Sequence, residues 1–203
     1  MTLAERDARL VRLFAAAVLG RFDVVRALRA AAPSGEPDRA WREVVLQVHV
    51  FAGFPRLVET YGVLEAAGGL GALDADEVHA ELAPSDARAA GRALFERIYA
   101  ADSESVRGML ARHHPDFARW IEEHAYGRVL ARPGLEPRMR ELCAVAALTV
   151  LGQERQLASH VRGALRCGAA RAEIEHALVL VADLASDERN ECARAIATRF
   201  TAE

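Results

Sequence analysis

Lysine is absent from this chain of 203 residues, in which all 26 basic side chains are arginine. Catalysis through a lysine Schiff base is therefore excluded, and so is the attachment of pyridoxal phosphate through lysine. Aromatic residues are also few, at 6% of the chain. Because aromatic side chains are enriched in β-strands, their scarcity disfavours a sheet.

Cysteine is sparse as well. Cys143, Cys167 and Cys192 stand 24 and 25 residues apart, which gives neither a Cys-x-x-Cys pair nor the ligand spacing of a zinc site. An odd, widely spaced set of cysteines is typical of a reducing compartment rather than of a disulfide framework. We therefore expect neither a metal nor any other cofactor.

No apolar run reaches the length that a membrane-spanning helix needs, and the opening residues MTLAERDARLVR do not have the pattern of a signal peptide. The net charge of −3 gives no electrostatic reason to expect nucleic acid or an anionic membrane as a partner. These features predict a cytoplasmic protein without nucleic-acid or membrane partners.

Alanine, leucine and arginine dominate the sequence, and 52% of its residues are hydrophobic. These residues favour helices, and the hydrophobic content is enough for a substantial core. No segment alternates with a period of two, so an all-α fold is predicted. We expect helices at 3–19, 21–32, 38–52, 54–67, 86–101, 115–129, 136–151, 153–167, 171–185 and 187–200.

The chain contains an internal repeat. LVRLFAAAVLGRFDVVRAL (10–28) aligns with LCAVAALTVLGQERQLASH (142–160), and WREVVLQVHVFAGF (41–54) aligns with IEHALVLVADLASD (174–187). The offsets of 132 and 133 residues between the aligned segments predict two tandem helical units. The first unit spans 1–67 and the second spans 86–203, with a glycine-rich and polar linker at 68–85.

The second unit carries polar residues at helical spacing. Residues three, four and seven apart share one helix face, so Gln153, Gln156 and His160 form a single stripe. Glu141 lies at the start of the preceding apolar helix, which can fold back against that stripe. The first unit has neither the acid nor the imidazole at the aligned positions. A small-molecule site is therefore expected in the second unit.

These residues also carry a family resemblance. The segment from Tyr126-Gly127 through Arg132-Pro133-Gly134-Leu135 to Gly168-Ala169 resembles the carboxymuconolactone decarboxylase and alkylhydroperoxidase D superfamily, with the decarboxylase branch most similar. The similarity covers residues 90–200, with a weaker echo at 5–67. In the peroxidase branch a glutamate precedes a Cys-x-x-Cys by twelve residues, and a histidine follows four residues later. Glu141 and His160 fit this pattern, but Gln153 and Gln156 occupy both cysteine positions.

The resemblance implies an all-α helical bundle that assembles as a homo-oligomer, either a trimer or a hexamer. It also implies a cofactor-independent lyase or isomerase that acts on a small organic acid or lactone. In that interpretation His160 donates or shuttles a proton, Glu141 orients it, and the two glutamines position the substrate. An alkylhydroperoxidase working through a lone thiol is one alternative, and a non-catalytic assembly or ligand-binding protein is another.

Ordinary structural explanations exist for each of these residues. Glu141 can be a charge favoured by the helix dipole, His160 can be a hydrogen-bonded structural group, and the glutamines can be exposed helix residues. His49 lies in an apolar helix of the first unit, where it either packs in the core or contributes to the site across the junction. His113-His114-Pro115 is better explained as a helix entry than as a metal site.

Arginine can hold a carboxylate through two hydrogen bonds, so an organic-acid substrate would need one near the site. The nearest candidates in the sequence are Arg132, Arg138, Arg140 and Arg162. We include Arg140 and His49 with Gln153 and Gln156 among the predicted substrate-binding residues.

Overall fold

A computed structural model describes residues 2–36, 38–73, 75–78 and 83–201. These residues form helices and no β-strand, so the predicted all-α class is confirmed. A π-helical segment (Ile121–Leu130) continues α7, and 3₁₀ turns follow α5 (Ala100–Asp102) and α10 (Ala182–Leu184). The α-helices are α1 (Glu5–Leu19), α2 (Phe22–Ala30), α3 (Asp38–Ala66), α4 (Ala75–Val78), α5 (Pro84–Tyr99), α6 (Ser103–His113), α7 (Pro115–Trp120), α8 (Pro137–Leu151), α9 (Glu154–Arg166), α10 (Arg171–Leu180) and α11 (Asp187–Thr201).

The break expected between the helices at 38–52 and 54–67 is present within α3, because the backbone at Gly53 is not helical, with φ of 82° and ψ of 163°. Two other helical regions differ from the sequence prediction. The predicted helix at 115–129 is divided into α7 and the π-helical segment. Helix α6 was not predicted, because its sequence SESVRGMLARH is largely polar and has a weak apolar stripe. His114 caps α7 by accepting a hydrogen bond from the Asp116 backbone N–H, as a helix entry should.

The predicted linker at 68–85 contains α4 and the first residues of α5, while residues 74 and 79–82 lie outside the described part. Leu70 is 9% exposed, and the Arg42 guanidinium hydrogen-bonds its carbonyl oxygen. Arg42 also bonds Glu77 in α4, with 2.5 Å between Nη2 and Oε2. This part of the linker is therefore fixed against α3.

The two aligned segments form hairpins of similar geometry. α1 ends at Gly20 with φ of 76°, and α8 ends at Gly152 with φ of 69°. Only glycine adopts this left-handed conformation without strain. A side chain at Gly20 would collide with Arg56, and one at Gly152 would collide with Arg189, which lies 133 residues later. These parallels support the tandem-unit hypothesis, which remains a prediction.

Helix α8 lies at the centre of the molecule, with twelve of its 15 residues buried. It packs against α1, α9, α10 and α3. Buried apolar residues from both predicted units, such as Leu10, Phe14, Leu142 and Val145, belong to one core. Each such side chain contributes about 1.5–3 kcal/mol to stability on burial. The two predicted units therefore share a core.

A buried ion cluster joins α3 to α8. Arg140 Nη2 lies 2.8 Å from Glu43 Oε2, and Arg132 Nε lies 2.8 Å from Glu43 Oε1. Gln47 donates a hydrogen bond to the Arg140 carbonyl oxygen at 3.1 Å. Glu43 and Arg140 are each 1% exposed. Removing one partner of such a pair would leave the other charge buried and uncompensated.

A second, smaller core lies between α5 and the π-helical segment. The two backbones cross closely, because both contribute glycine at the crossing. A methyl group on Gly127 would lie 2.4 Å from the Ala87 carbonyl oxygen, and one on Gly91 would lie 2.5 Å from that of Glu122. The absence of side chains at these two positions allows the segment to approach α5.

Among the described helices, none combines the length and the apolar character needed to cross a bilayer. Some large apolar side chains are nevertheless exposed: Phe54 by 61%, Val58 by 65% and Val179 by 71%. The expected homo-oligomer remains a prediction.

Replacing Gly127 by alanine should destabilise the protein by about 1–3 kcal/mol, because the added methyl group forces two backbones apart. Gly62→Ala is the matched control: its methyl would meet nothing within 4 Å, and it should be neutral or stabilising by up to about 1 kcal/mol, since alanine favours helix. Urea unfolding followed by circular dichroism measures both changes. Equal free energies of unfolding for the two variants would contradict the close approach of the π-helical segment to α5.

Candidate active site

The α8–α9 hairpin brings the predicted acid and imidazole into contact. His160 Nδ1 lies 2.9 Å from Glu141 Oε2, and the two residues are 7% and 1% exposed. A carboxylate can only accept hydrogen bonds, so Nδ1 carries a proton and donates a hydrogen bond to Glu141. When the ring is neutral, Nε2 is then an unprotonated acceptor. Glu141 therefore fixes both the orientation and the tautomer of His160.

Gly163 makes room for this contact. It lies one helical turn after His160 in α9, and a methyl group there would be 2.4 Å from Glu141 Oε2 and 2.9 Å from Ile98 Cγ2. Any side chain at this position would displace the carboxylate from the imidazole. The sequence gives no sign of this role, because a glycine within a helix has several explanations.

His160 faces a cavity of about 470 Å³, a volume within the range that small ligands occupy. Gln153 precedes the first turn of α9 and Gln156 lies in that turn, and both line the cavity with His160. Glu141 lies behind the imidazole and reaches the cavity only through it. The structure thus brings together the three residues of the predicted stripe and the opposing acid, Glu141.

The walls of the cavity are mostly apolar and come from both predicted units. α3 contributes Val50 and Phe51, whose ring centroid lies 6.1 Å from that of His160. α8 contributes Leu148 and Leu151. The remaining apolar lining comes from α6, α7 and the π-helical segment, with Val106, Met109, Leu110, Phe117, Ile121, Ala125 and Leu130. π-Helical turns are frequent at functional sites, and this one supplies part of the wall.

Two tyrosines that the sequence did not single out as site residues also line the cavity. The Tyr126 hydroxyl donates a hydrogen bond to the Tyr99 hydroxyl at 3.0 Å. Burial raises the pKa of Tyr99, and burial raises the pKa of Tyr126 well above its usual value, so both remain protonated donors. Tyr126 belongs to the resembling segment, but Tyr99 ends a different helix, and no local motif marks it.

His49 is separated from this group and does not line the cavity. Its Nε2 lies 2.8 Å from His124 Nε2, its Nδ1 lies 2.5 Å from the Leu46 carbonyl oxygen, and its ring stacks on Phe54. Both ring nitrogens are thus in hydrogen-bond contacts. His49 reaches the site only through its chain neighbours Val50 and Phe51.

Arg140 is buried in the ion cluster with Glu43 and likewise does not line the cavity. Successive helix residues point in directions roughly 100° apart, so Arg140 faces α3 while Glu141 faces α9. The other candidate arginines are paired with acids of the protein itself. Arg132 pairs with Glu43, Arg138 with Asp7 and Glu173, and Arg162 with Asp102 at 3.5 Å.

The three thiols have raised pKa values. Burial raises the pKa of Cys143 to about 12 and that of Cys167 to about 11. The pKa of Cys192 is raised by burial and by a hydrogen bond with Glu154. A thiol reacts as its thiolate, and these environments favour the protonated form. Within the described residues, no group of three or more His, Cys, Asp or Glu side chains could hold a metal ion.

The neutral ring of His160 should carry its proton on Nδ1, because Glu141 accepts from that atom. Nitrogen NMR of the imidazole distinguishes the two tautomers, and the signals are assigned by their loss in His160→Gln. In Glu141→Ala the ring should revert to a form protonated on Nε2. Nε2 protonation in the unmodified protein would contradict the geometry.

Comparison with known proteins gives matches over the part of the chain that contains α8 and α9. Residues 115–199 match the model of the carboxymuconolactone decarboxylase family. A 4-carboxymuconolactone decarboxylase from Acinetobacter baylyi is 34% identical over 64 residues, which are 32% of this chain and 48% of that protein. The match thus spans about half the length of the relative. These findings confirm the resemblance to the carboxymuconolactone decarboxylase family over residues 115–199.

Proposed function

We propose that the chain is a cofactor-independent lyase or isomerase that transfers a proton to or from carbon on a small carbonyl-bearing molecule such as a lactone. The observation that supports this most is the contact of 2.9 Å between His160 and Glu141 at the wall of a ligand-sized cavity. The similarity to a 4-carboxymuconolactone decarboxylase agrees with this class of reaction.

In this proposal His160 is the acid–base residue. Imidazole can both accept and donate a proton through a ring nitrogen. Nε2 takes a proton from the carbon beside a carbonyl group, which leaves an enolate and an imidazolium. In an isomerisation the imidazolium returns that proton to another carbon of the enolate, and in an elimination the enolate expels a leaving group from the next carbon, which takes the proton instead. Glu141 stabilises the imidazolium formed in between, because the negative carboxylate lies against Nδ1.

Gln153 and Gln156 would position the substrate. Each amide offers two donors and one acceptor, and both side chains reach the cavity beside His160. Amides do not ionise, so they can orient a carbonyl oxygen without adding charge next to the acid–base pair. The mostly apolar walls lower the local dielectric, which strengthens each of these hydrogen bonds.

A non-catalytic role accounts less well for the site. A buried Glu–His contact costs desolvation of the carboxylate, and a protein that only packs or assembles would gain nothing from keeping one beside an open cavity. The cavity of about 470 Å³ next to His160 therefore favours a catalyst.

Peroxidase activity through a lone thiol is disfavoured by the three raised thiol pKa values. At neutral pH, cumene hydroperoxide should cause no loss of titratable thiol beyond that of a Cys143→Ala, Cys167→Ala double variant. Thiol counting with a chromogenic disulfide in denaturant, before and after exposure to the peroxide, measures this. Rapid stoichiometric loss that disappears in the double variant would favour the peroxidase instead.

His160→Gln should lower turnover by about 10²–10⁴-fold, the usual contribution of a general acid–base residue. A panel of small lactones, ketones and lactone acids is incubated in D₂O, and NMR follows deuterium entry at carbon and loss of starting compound. His113→Gln is the control, since His113 is exposed at the end of α6. If the His160 and His113 variants retain equal activity, the acid–base assignment is wrong.

A further inference from the structure

The charge of the cavity limits what it can bind. Its polar lining residues are Tyr99, Tyr126, Gln153, Gln156 and His160, and within the described chain no arginine, aspartate or glutamate lines it. A carboxylate held against this lining would lose part of its hydration without gaining an arginine partner, which is unfavourable. The cavity therefore disfavours an anionic ligand.

The nearby arginines do not change this conclusion. Arg132, Arg138 and Arg140 lie within 3.2 Å of protein carboxylates, and Arg140 is 1% exposed. Arg162 lies beside Asp102 and has its guanidinium carbon 5.0 Å from the Phe200 ring centroid. Each is engaged away from the cavity. Recruiting Arg140 or Arg132 would also leave Glu43 as a buried charge with a broken pair.

The neutral donors are arranged for an uncharged acceptor. Because Tyr126 donates to the Tyr99 hydroxyl at 3.0 Å, the proton of Tyr99 remains for another acceptor. Tyr99 lines the cavity together with His160. A carbonyl oxygen accepts such a hydrogen bond and becomes more polarised by it, which makes the neighbouring C–H more acidic. The cavity thus holds a donor for a carbonyl oxygen and a base for the adjacent proton.

We propose that the ligand is a neutral carbonyl compound, a ketone, ester or lactone with a hydrocarbon body, whose carbonyl oxygen accepts a hydrogen bond from Tyr99 while the body contacts the apolar walls. This inference rests on the proposed function, whose site it shares. It narrows the expected organic acid or lactone to a compound without a carboxylate.

Two probes of equal size test the proposal. 4-Phenylbutan-2-one and 3-phenylpropanoate differ only in a methyl group in place of a carboxylate oxygen. At about pH 8 the acid is fully ionised. Titration of the full chain by calorimetry or ligand NMR should give at least about tenfold tighter binding of the ketone, since burying an unpaired carboxylate costs more than 1.4 kcal/mol.

Two variants test which residues cause the preference for the ketone over the carboxylate. Tyr99→Phe keeps the ring that packs on Phe95 at 4.4 Å and should weaken the ketone by about threefold to tenfold, the effect of one lost hydrogen bond. Leu151→Arg places a cation in the lining and should shift the preference toward 3-phenylpropanoate by about tenfold or more. Leu151→Met is the matched control and should leave the preference unchanged.

Equal or tighter binding of 3-phenylpropanoate by the unmodified chain would overturn the proposal, as would no ketone binding up to its solubility limit. If the Tyr99→Phe variant bound the ketone as tightly as the unmodified chain, the proposed hydrogen bond from Tyr99 to the carbonyl oxygen would be wrong. These measurements do not depend on turnover. If His160→Gln left catalysis unchanged while the ketone still bound selectively, the acid–base function would fail and the ligand class would stand.

Discussion

The burial of α8 on all sides is the constraint on which the rest of the structure depends. A helix without a solvent face must find a partner inside the protein for every polar side chain it carries. Arg140 finds Glu43 in α3, Glu141 finds His160 in α9, and the Cys143 thiol lies 3.9 Å from the Leu10 carbonyl oxygen in α1. Each of the three neighbouring helices α1, α3 and α9 is thus contacted by one polar residue of α8.

This arrangement holds the contact between Glu141 and His160 in place through the packing of helices. Glu141 cannot turn toward water, because the core surrounds its helix, and Gly163 leaves its carboxylate only the space beside the imidazole. The site is held by packing that extends across both predicted units, since α3 from the first unit supplies Val50 and Phe51. A first unit without acid–base residues of its own therefore still forms part of the site.

The spacing of residues in the sequence predicted which side chains share a helix face. It did not predict the contacts between side chains that are distant in sequence. The spacing of Gln153, Gln156 and His160 predicted that they share one side of α9, and all three line one cavity, because helical periodicity is a local property. Arg140 and Glu141 could not be told apart as site residues, since a helix buried all round shows no polar face. Tyr99 was missed because its contact with Tyr126 joins residues 27 apart in sequence. The direction of the His49 side chain could not be predicted, because it depends on a contact with His124 in the π-helical segment.

The absence of lysine, together with the burial of tyrosine and cysteine side chains, affects how the charge of the protein responds to alkaline pH. Arginine holds its proton more firmly than lysine does. Burial raises the pKa of Tyr61 to about 12, and the pKa values of the other two tyrosines and the three cysteines are raised as well. These tyrosines and cysteines therefore keep their protons to higher pH than free side chains do, and no lysine is present to lose its charge at about pH 10. A shift to alkaline solution should thus change the net charge of this protein less than that of a protein with lysines and exposed tyrosines, and its mobility in an electric field should change less as well.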